Sequence, residues 1–251
     1  MCFDDQKLKV VESYSKAFRD LINDRVDWRG DPATNLRLRK PEDWVFVCVA
    51  MDILDDASLA LHNFLKFGIS GPTKHDDVGE KYLRLYGLLS AAYIQQQAAI
   101  KLHHLMDCPN QREFKRSVDK TEIRMLRHQL ASHSLDCMDS TTNSISAFVP
   151  VRIWLDDFSC TVTESRGDSS ASYNLKKAVH EHCDFMLDIL DATYEKTYKT
   201  IFKENPKKKD EHSQNLGELR EEKSGAIILK PFNKEDPRIF ISAPSDSGED
   251  N

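Results

Sequence analysis

Arg127 and His133 stand six residues apart in the run Arg127-His128-Gln129-Leu130-Ala131-Ser132-His133, and their side chains are suited to chemistry at a phosphate. A guanidinium is always charged and presents a planar fork of donors to phosphate oxygens, while an imidazole takes or gives a proton near neutrality. A solvated basic helix face is the competing reading. Local charge bears on the choice: between Asn110 and Ser134, Arg112, Lys115, Arg116, Lys120, Arg124 and Arg127 face three acids, Glu113, Asp119 and Glu122, giving a local +3 within a chain of net charge -6. That acidic total argues against non-specific coating of nucleic acid but leaves room for a basic patch. Arg37, Arg39 and Lys40 form a second, smaller basic cluster.

The spacing imposes a geometric condition. Residues six apart on a regular helix point about 120° away from each other, so Arg127 and His133 meet on one phosphate by one of two routes. Either the helix loosens near Ser132, or a two-fold dimer brings two copies of the motif together. The pairs aligned at i, i+4 are Arg124 with His128, His128 with Ser132, and Gln129 with His133. Gln129 is therefore a candidate to orient His133, and Arg124, His128, Ser132 and Lys120 are candidate auxiliary contacts to the same ligand.

Other chemistries have less to stand on. The six cysteines lie far apart without a Cys-x-x-Cys pair, which suggests reduced thiols rather than a zinc site or a disulfide framework. His103-His104 and His180-Glu181-His182 diverge on a helix and have no further ligands at useful spacing, so no metal and no cofactor is expected. Neither a phosphate-cradling glycine loop nor a nucleophile elbow occurs. Gln95-Gln96-Gln97 interrupt an apolar helix and either line a cleft beside the motif or lie on a polar face, whereas Tyr86 and Tyr93 read as core.

The elements that must position the motif are mostly helices. Apolar residues recur at helical spacing from Asp4 to about Asn23, and again from Val45 to Phe67, after Pro41 and before Gly68. Asp77-Val78-Gly79-Glu80 resembles a capping box and opens the longest periodic stretch, to about Met106, a helix of about 45 Å. Asn110 to Glu113 caps a short helix, and Asp119 to Glu122 caps the helix that carries the motif. Between about 144 and 163 the period changes to alternation, which predicts a β-hairpin. From Ser172 as cap, a final long helix runs to about Phe202.

These elements give a mainly α, long-helix bundle over residues 1–203 with one inserted β-hairpin. Residues 204–251 read as a charged flexible linker from Lys203 to Ser224 and a tail with two short strands, 226–229 and 238–241, ending in disorder. The tail is expected to fold only by adding strands to the hairpin or to another chain. With 251 residues, 40% hydrophobic and 30% charged, the chain suits one sizeable core plus an extension. Its apolar runs are too short for a membrane span, and Met1-Cys2-Phe3-Asp4-Asp5 lacks the positive charge of a signal peptide, so a cytoplasmic protein is expected.

The combination resembles the HEPN superfamily (higher eukaryote and prokaryote nucleotide-binding), whose helical bundles carry an Arg, a polar residue and a later His near the end of a core helix. Arg127, His128 and His133 match that pattern. The stretch from Tyr82 to Ala98, with Tyr86-Gly87 and the glutamines, is similar to the long helix of bacterial members, and the resemblance covers about residues 3 to 203. It implies a metal-independent endoribonuclease in which the RNA 2′-hydroxyl attacks the phosphate. His133 would exchange protons and Arg127 would hold the phosphate bidentately. Also implied are a homodimer and a toxin or defence effector restrained by an antitoxin or other regulatory protein. The alternative implied by the same resemblance is a non-catalytic module that holds RNA, a nucleotide or a protein through this face.

Overall fold

The computed structural model describes residues 5–27, 29–73, 76–132, 134–138, 145–164, 169–225, 227–229 and 239–241. Four long helices form the core: α1 (Gln6–Arg25), α3 (Asp43–Phe67), α4 (Val78–Leu105) and α7 (Leu175–Ile201). α1 packs on α3 and α7, and α4 packs on the same two helices, so the four close a ring around one apolar interior. Tyr14, Phe18, Leu54, Leu61, Leu89, Leu102, Met186 and Tyr194 fill it. Each fully buried aliphatic side chain contributes about 1.5–3 kcal/mol relative to exposure, which is why the bundle forms whatever its surface charge. The short α2 (Pro32–Asn35), α5 (Gln111–Val118) and α6 (Glu122–Arg127) lie between or beside these rods.

Local sequence sets the ends. The Asp77 carboxylate accepts from the Gly79 and Glu80 amides at 2.7 and 3.4 Å, opening α4 where the capping pattern places it. α3 stops at Gly68, whose φ of 67° belongs to glycine. A Cβ at Gly68 would stand 2.6 Å from the Asp157 carbonyl oxygen, so this turn also needs glycine for close approach.

The protein is mainly helical with a small antiparallel sheet, as the change of period from helical to alternating predicts. The sheet is larger than a hairpin. β3 (Phe148–Pro150), β4 (Ser159–Glu164) and β5 (Ser170–Asn174) lie in the order β3-β4-β5, with Val149 opposite Thr163 and Cys160 opposite Tyr173. A separate pair, β1 (Cys137–Met138) and β2 (Ile145–Ser146), lies beside it in sequence. β5 was hidden because Ser170-Ala171-Ser172 gives no apolar alternation, and the cap of α7 is Asn174, accepting from the Lys177 amide, rather than Ser172.

The largest departure follows α7. Residues expected as a flexible linker form α8 (Pro206–Lys223), with Asn205 as cap and Pro206 in the first turn. Leu216 and Leu219, one turn apart, bury against the bundle, and Arg220 grips Asp191 bidentately at 2.9 and 2.7 Å while also meeting Glu195. His212 stacks on Phe202 and meets both Tyr194 and Asp24. Charge density alone had suggested disorder, but here the charges are paired across a helix–helix seam. The tail strands β6 (Ile227–Leu229) and β7 (Ile239–Ile241) pair with each other, Ile228 opposite Phe240, and not with the inserted sheet. Among the described residues, no helix is long and apolar enough to cross a membrane.

Candidate active site

α6 has only six residues, too few to hold a helical shape on its own, so its position comes from tertiary anchors. One anchor is electrostatic. The Glu122 amide, at the positive end of α6, donates to the Glu181 carboxylate of α7 at 2.8 Å. The second is a buried polar chain beneath the helix start. Thr121 donates to the Val118 carbonyl and accepts from Gln96 Nε2 at 3.3 Å, and that same nitrogen meets His182 Nδ1 at 3.2 Å. On the other side of the ring, His182 Nε2 meets Gln95 Oε1 at 2.7 Å, and Gln95 Nε2 reaches the Leu54 carbonyl and the Ser58 hydroxyl.

These contacts require one tautomer of a neutral His182, with Nε2–H donating to Gln95 and Nδ1 accepting from Gln96. Burial holds His182 neutral down to about 3. His180-Glu181-His182 is therefore no metal motif: its acid caps α6 and His182 is a junction in the core. His103 is likewise buried, against the edge of Phe114, and burial followed by the neighbouring His104 pulls its pKa down to about 4. Among the described residues, no three His, Cys, Asp or Glu side chains converge as a metal site.

Arg124 and Arg127, one turn apart on α6, share Tyr93 of α4. Their guanidinium carbons lie 4.3 and 3.5 Å from the centre of its ring, close enough for a cation–π contact at each. Arg124 is the more enclosed, its side chain 11% exposed. Its Nε lies 3.6 Å from the Asp119 carboxylate, and the Gln97 carboxamide, turned so that its oxygen faces the guanidinium, accepts from both terminal nitrogens at 3.1 and 3.2 Å. Burial, with the like charge of Arg127 adding to it, lowers the Arg124 pKa. Arg127 is half-buried, and among the described residues no carboxylate lies within ion-pair distance of it. Arg124 is thus a structural cation that shapes the platform, and Arg127 presents its charge at the surface.

Immediately after Arg127 the helix widens into a π turn over His128–Ser132. A π turn shifts the hydrogen-bonding pattern to i→i+5 and changes the angular spacing of the side chains within it. The helix therefore departs from regular α geometry up to Ser132. His133 itself lies outside the described residues. His128, Ser132 and Lys120 are exposed, and Leu130 is buried as the anchor of the turn. Gln129 is half-buried and turned towards the Tyr173 hydroxyl of β5, and its carboxamide oxygen is buried without a hydrogen-bond partner among the described residues.

Four residues differ from their sequence reading. Tyr93, expected in the core, is the stacking platform of the site, and Tyr86 is 38% exposed. Gln95 and Gln96 belong to the buried chain, whereas Gln97 faces the site. No sequence signal singles out Tyr93, because its role depends on which face of α4 meets α6. No protein-family model, curated protein or solved structure matches the chain.

Proposed function

We propose that the protein is a metal-independent endoribonuclease whose reaction centre is built from Arg127 and His133. The observation that carries this reading is the half-exposed Arg127 guanidinium, braced on Tyr93 and unneutralised by a carboxylate among the described residues, at the start of a π turn that runs up to His133. The 2′-hydroxyl oxygen bonds to phosphorus, the bond to the 5′-oxygen breaks, and the products are a 2′,3′-cyclic phosphate and a free 5′-hydroxyl. His133 takes the 2′-hydroxyl proton or returns a proton to the departing oxygen, while Arg127 binds the charge that gathers on the phosphate.

A two-fold dimer completes the proposal. Leu83, Tyr86 and Ile94 are exposed along α4, with Gly87 and Ser90 between them, and Met125 is exposed on α6. An uncharged helical stripe of this kind is suited to a second copy of itself, which would bring two Arg127 side chains together. The biological role proposed is that of a toxin or defence effector acting in the cytoplasm and held in check by a partner protein.

Labelled single-stranded RNA incubated with the purified protein in EDTA tests the reading. Cleavage that persists in EDTA, with DNA of the same sequence left intact, is the expected result. Binding of RNA without any cleavage across a range of RNAs would assign the same face to a non-catalytic interaction module.

A further inference from the structure

The basic cluster of Arg37 and Arg39 stands apart from Tyr93 and Arg127. It borders a cavity of about 130 Å³ between the end of α2, the last turn of α4 and the second half of α7. Leu36, Met106 and Ile201 supply apolar lining, and Arg37, Arg39 and Lys196 supply three positive charges against the single carboxylate of Asp107.

The partners of these cations differ. Arg39 is paired with Asp107, so that wall is neutral. Among the described residues Arg37 reaches one carboxylate, Glu204 at 3.6 Å, which is 88% exposed, and such a pair exchanges readily with a competing anion. Lys196 is half-buried and has no carboxylate within ion-pair distance among the described residues. The neighbouring hydroxyls donate to helix carbonyls, Thr197 to Thr193 and Thr200 to Lys196, so they leave the cations to supply the donors.

The backbone shapes the same wall. Three described non-glycine residues have positive φ, and two of them, Arg37 at 57° and Asp107 at 52°, line this cavity. Each follows a helix end and closes its cap, Leu38 N–H donating to the Ala33 carbonyl after α2 and Cys108 N–H to the His103 carbonyl after α4, so two helix ends form this wall. The enclosed space admits several waters, and so also a tetrahedral anion with four oxygens.

We propose that this cavity is a phosphate-binding site, with Lys196 and Arg37 as the donors and the Arg39–Asp107 pair as its rim. The site is independent of the RNA-cleaving reading. Calorimetric titration of the full chain with inorganic phosphate, against chloride at matched ionic strength, tests it. Wild-type protein should bind phosphate with saturation, and Lys196→Gln and Arg37→Gln should each weaken binding tenfold or more, the loss expected when a charged hydrogen bond is removed.

Asp107→Asn keeps a residue that tolerates left-handed geometry, frees Arg39 and should tighten binding. Arg127→Ala separates the two sites, because binding at this cavity survives it. Glycerol 3-phosphate in the same titration identifies the source: tighter binding than inorganic phosphate assigns a small phosphate ester, and weaker binding assigns the free ion. Equal affinity in wild type and Lys196→Gln, an effect no larger than that of chloride, or loss of binding in Arg127→Ala alone would each overturn the proposal.

Discussion

Arg127→Ala and His133→Ala should each lower the rate of RNA cleavage by about a hundredfold to ten-thousandfold, the usual cost of losing a proton-transfer group or a charge-stabilising donor. Their effect on the fold should be small. Arg127 is half-buried and contributes one cation–π contact to Tyr93, worth about 0.5–1 kcal/mol at a site open to water. His128→Ala, altering an exposed residue of the π turn, should cost less activity than either. Mixing Arg127→Ala with His133→Ala protein should restore part of the cleavage, because a mixed dimer still carries one intact copy of each side chain in its shared centre. Circular dichroism would check the fold, and single-turnover rates would check the chemistry. Wild-type rates in His133→Ala would remove that residue from the mechanism.

The second large effect is on stability. His182→Ala removes a buried ring and strands Gln95 Oε1 and one of the two Nε2 protons of Gln96 in the core, and should cost about 3–5 kcal/mol through the cavity and the lost hydrogen bonds. Its titration has a definite sign. His182 stays neutral to about 3 and His103 to about 4 in the folded protein, whereas both take up protons near 6.5 when unfolded. The unfolded chain binds more protons between those values, so stability is full above about pH 6.5 and falls as pH drops through the window. At pH 5 each histidine should have withdrawn about 2 kcal/mol. Chemical denaturation from pH 7.5 to 5 measures the slope, and His182→Gln, which does not titrate, should flatten it. An unchanged slope in that variant would show that another group controls acid stability.

These two predictions also mark what was legible in the sequence. Apolar periodicity placed the four core helices because burial dominates their energetics, and the Asp77 cap and Gly68 stop are local signals that survive folding. α8 was misread because its charged residues are stabilised by Asp24, Asp188 and Asp191, which lie far away in the chain and cannot be paired with it by inspection. Ser170–Asn174 became a strand because β4 offered it a ladder, not because its side chains favour one. At the site, residue types pointed to Arg127 and Arg124, but only packing could separate an enclosed arginine bound to Gln97 from a surface one. Tyr93 and the Gln95–His182–Gln96–Thr121 chain depend on which faces of α4, α6 and α7 meet, and helical spacing does not encode that relation.

The central claim is that the RNA 2′-hydroxyl is the nucleophile, positioned by Arg127 and His133 without a metal. It is tested most directly by an RNA with a single 2′-deoxy substitution at a mapped cut site, incubated with the protein in EDTA. The account predicts no cleavage at the substituted position, continued cleavage at other sites, and a 2′,3′-cyclic phosphate on the upstream product of the unmodified RNA. Cleavage at the 2′-deoxy position would contradict it.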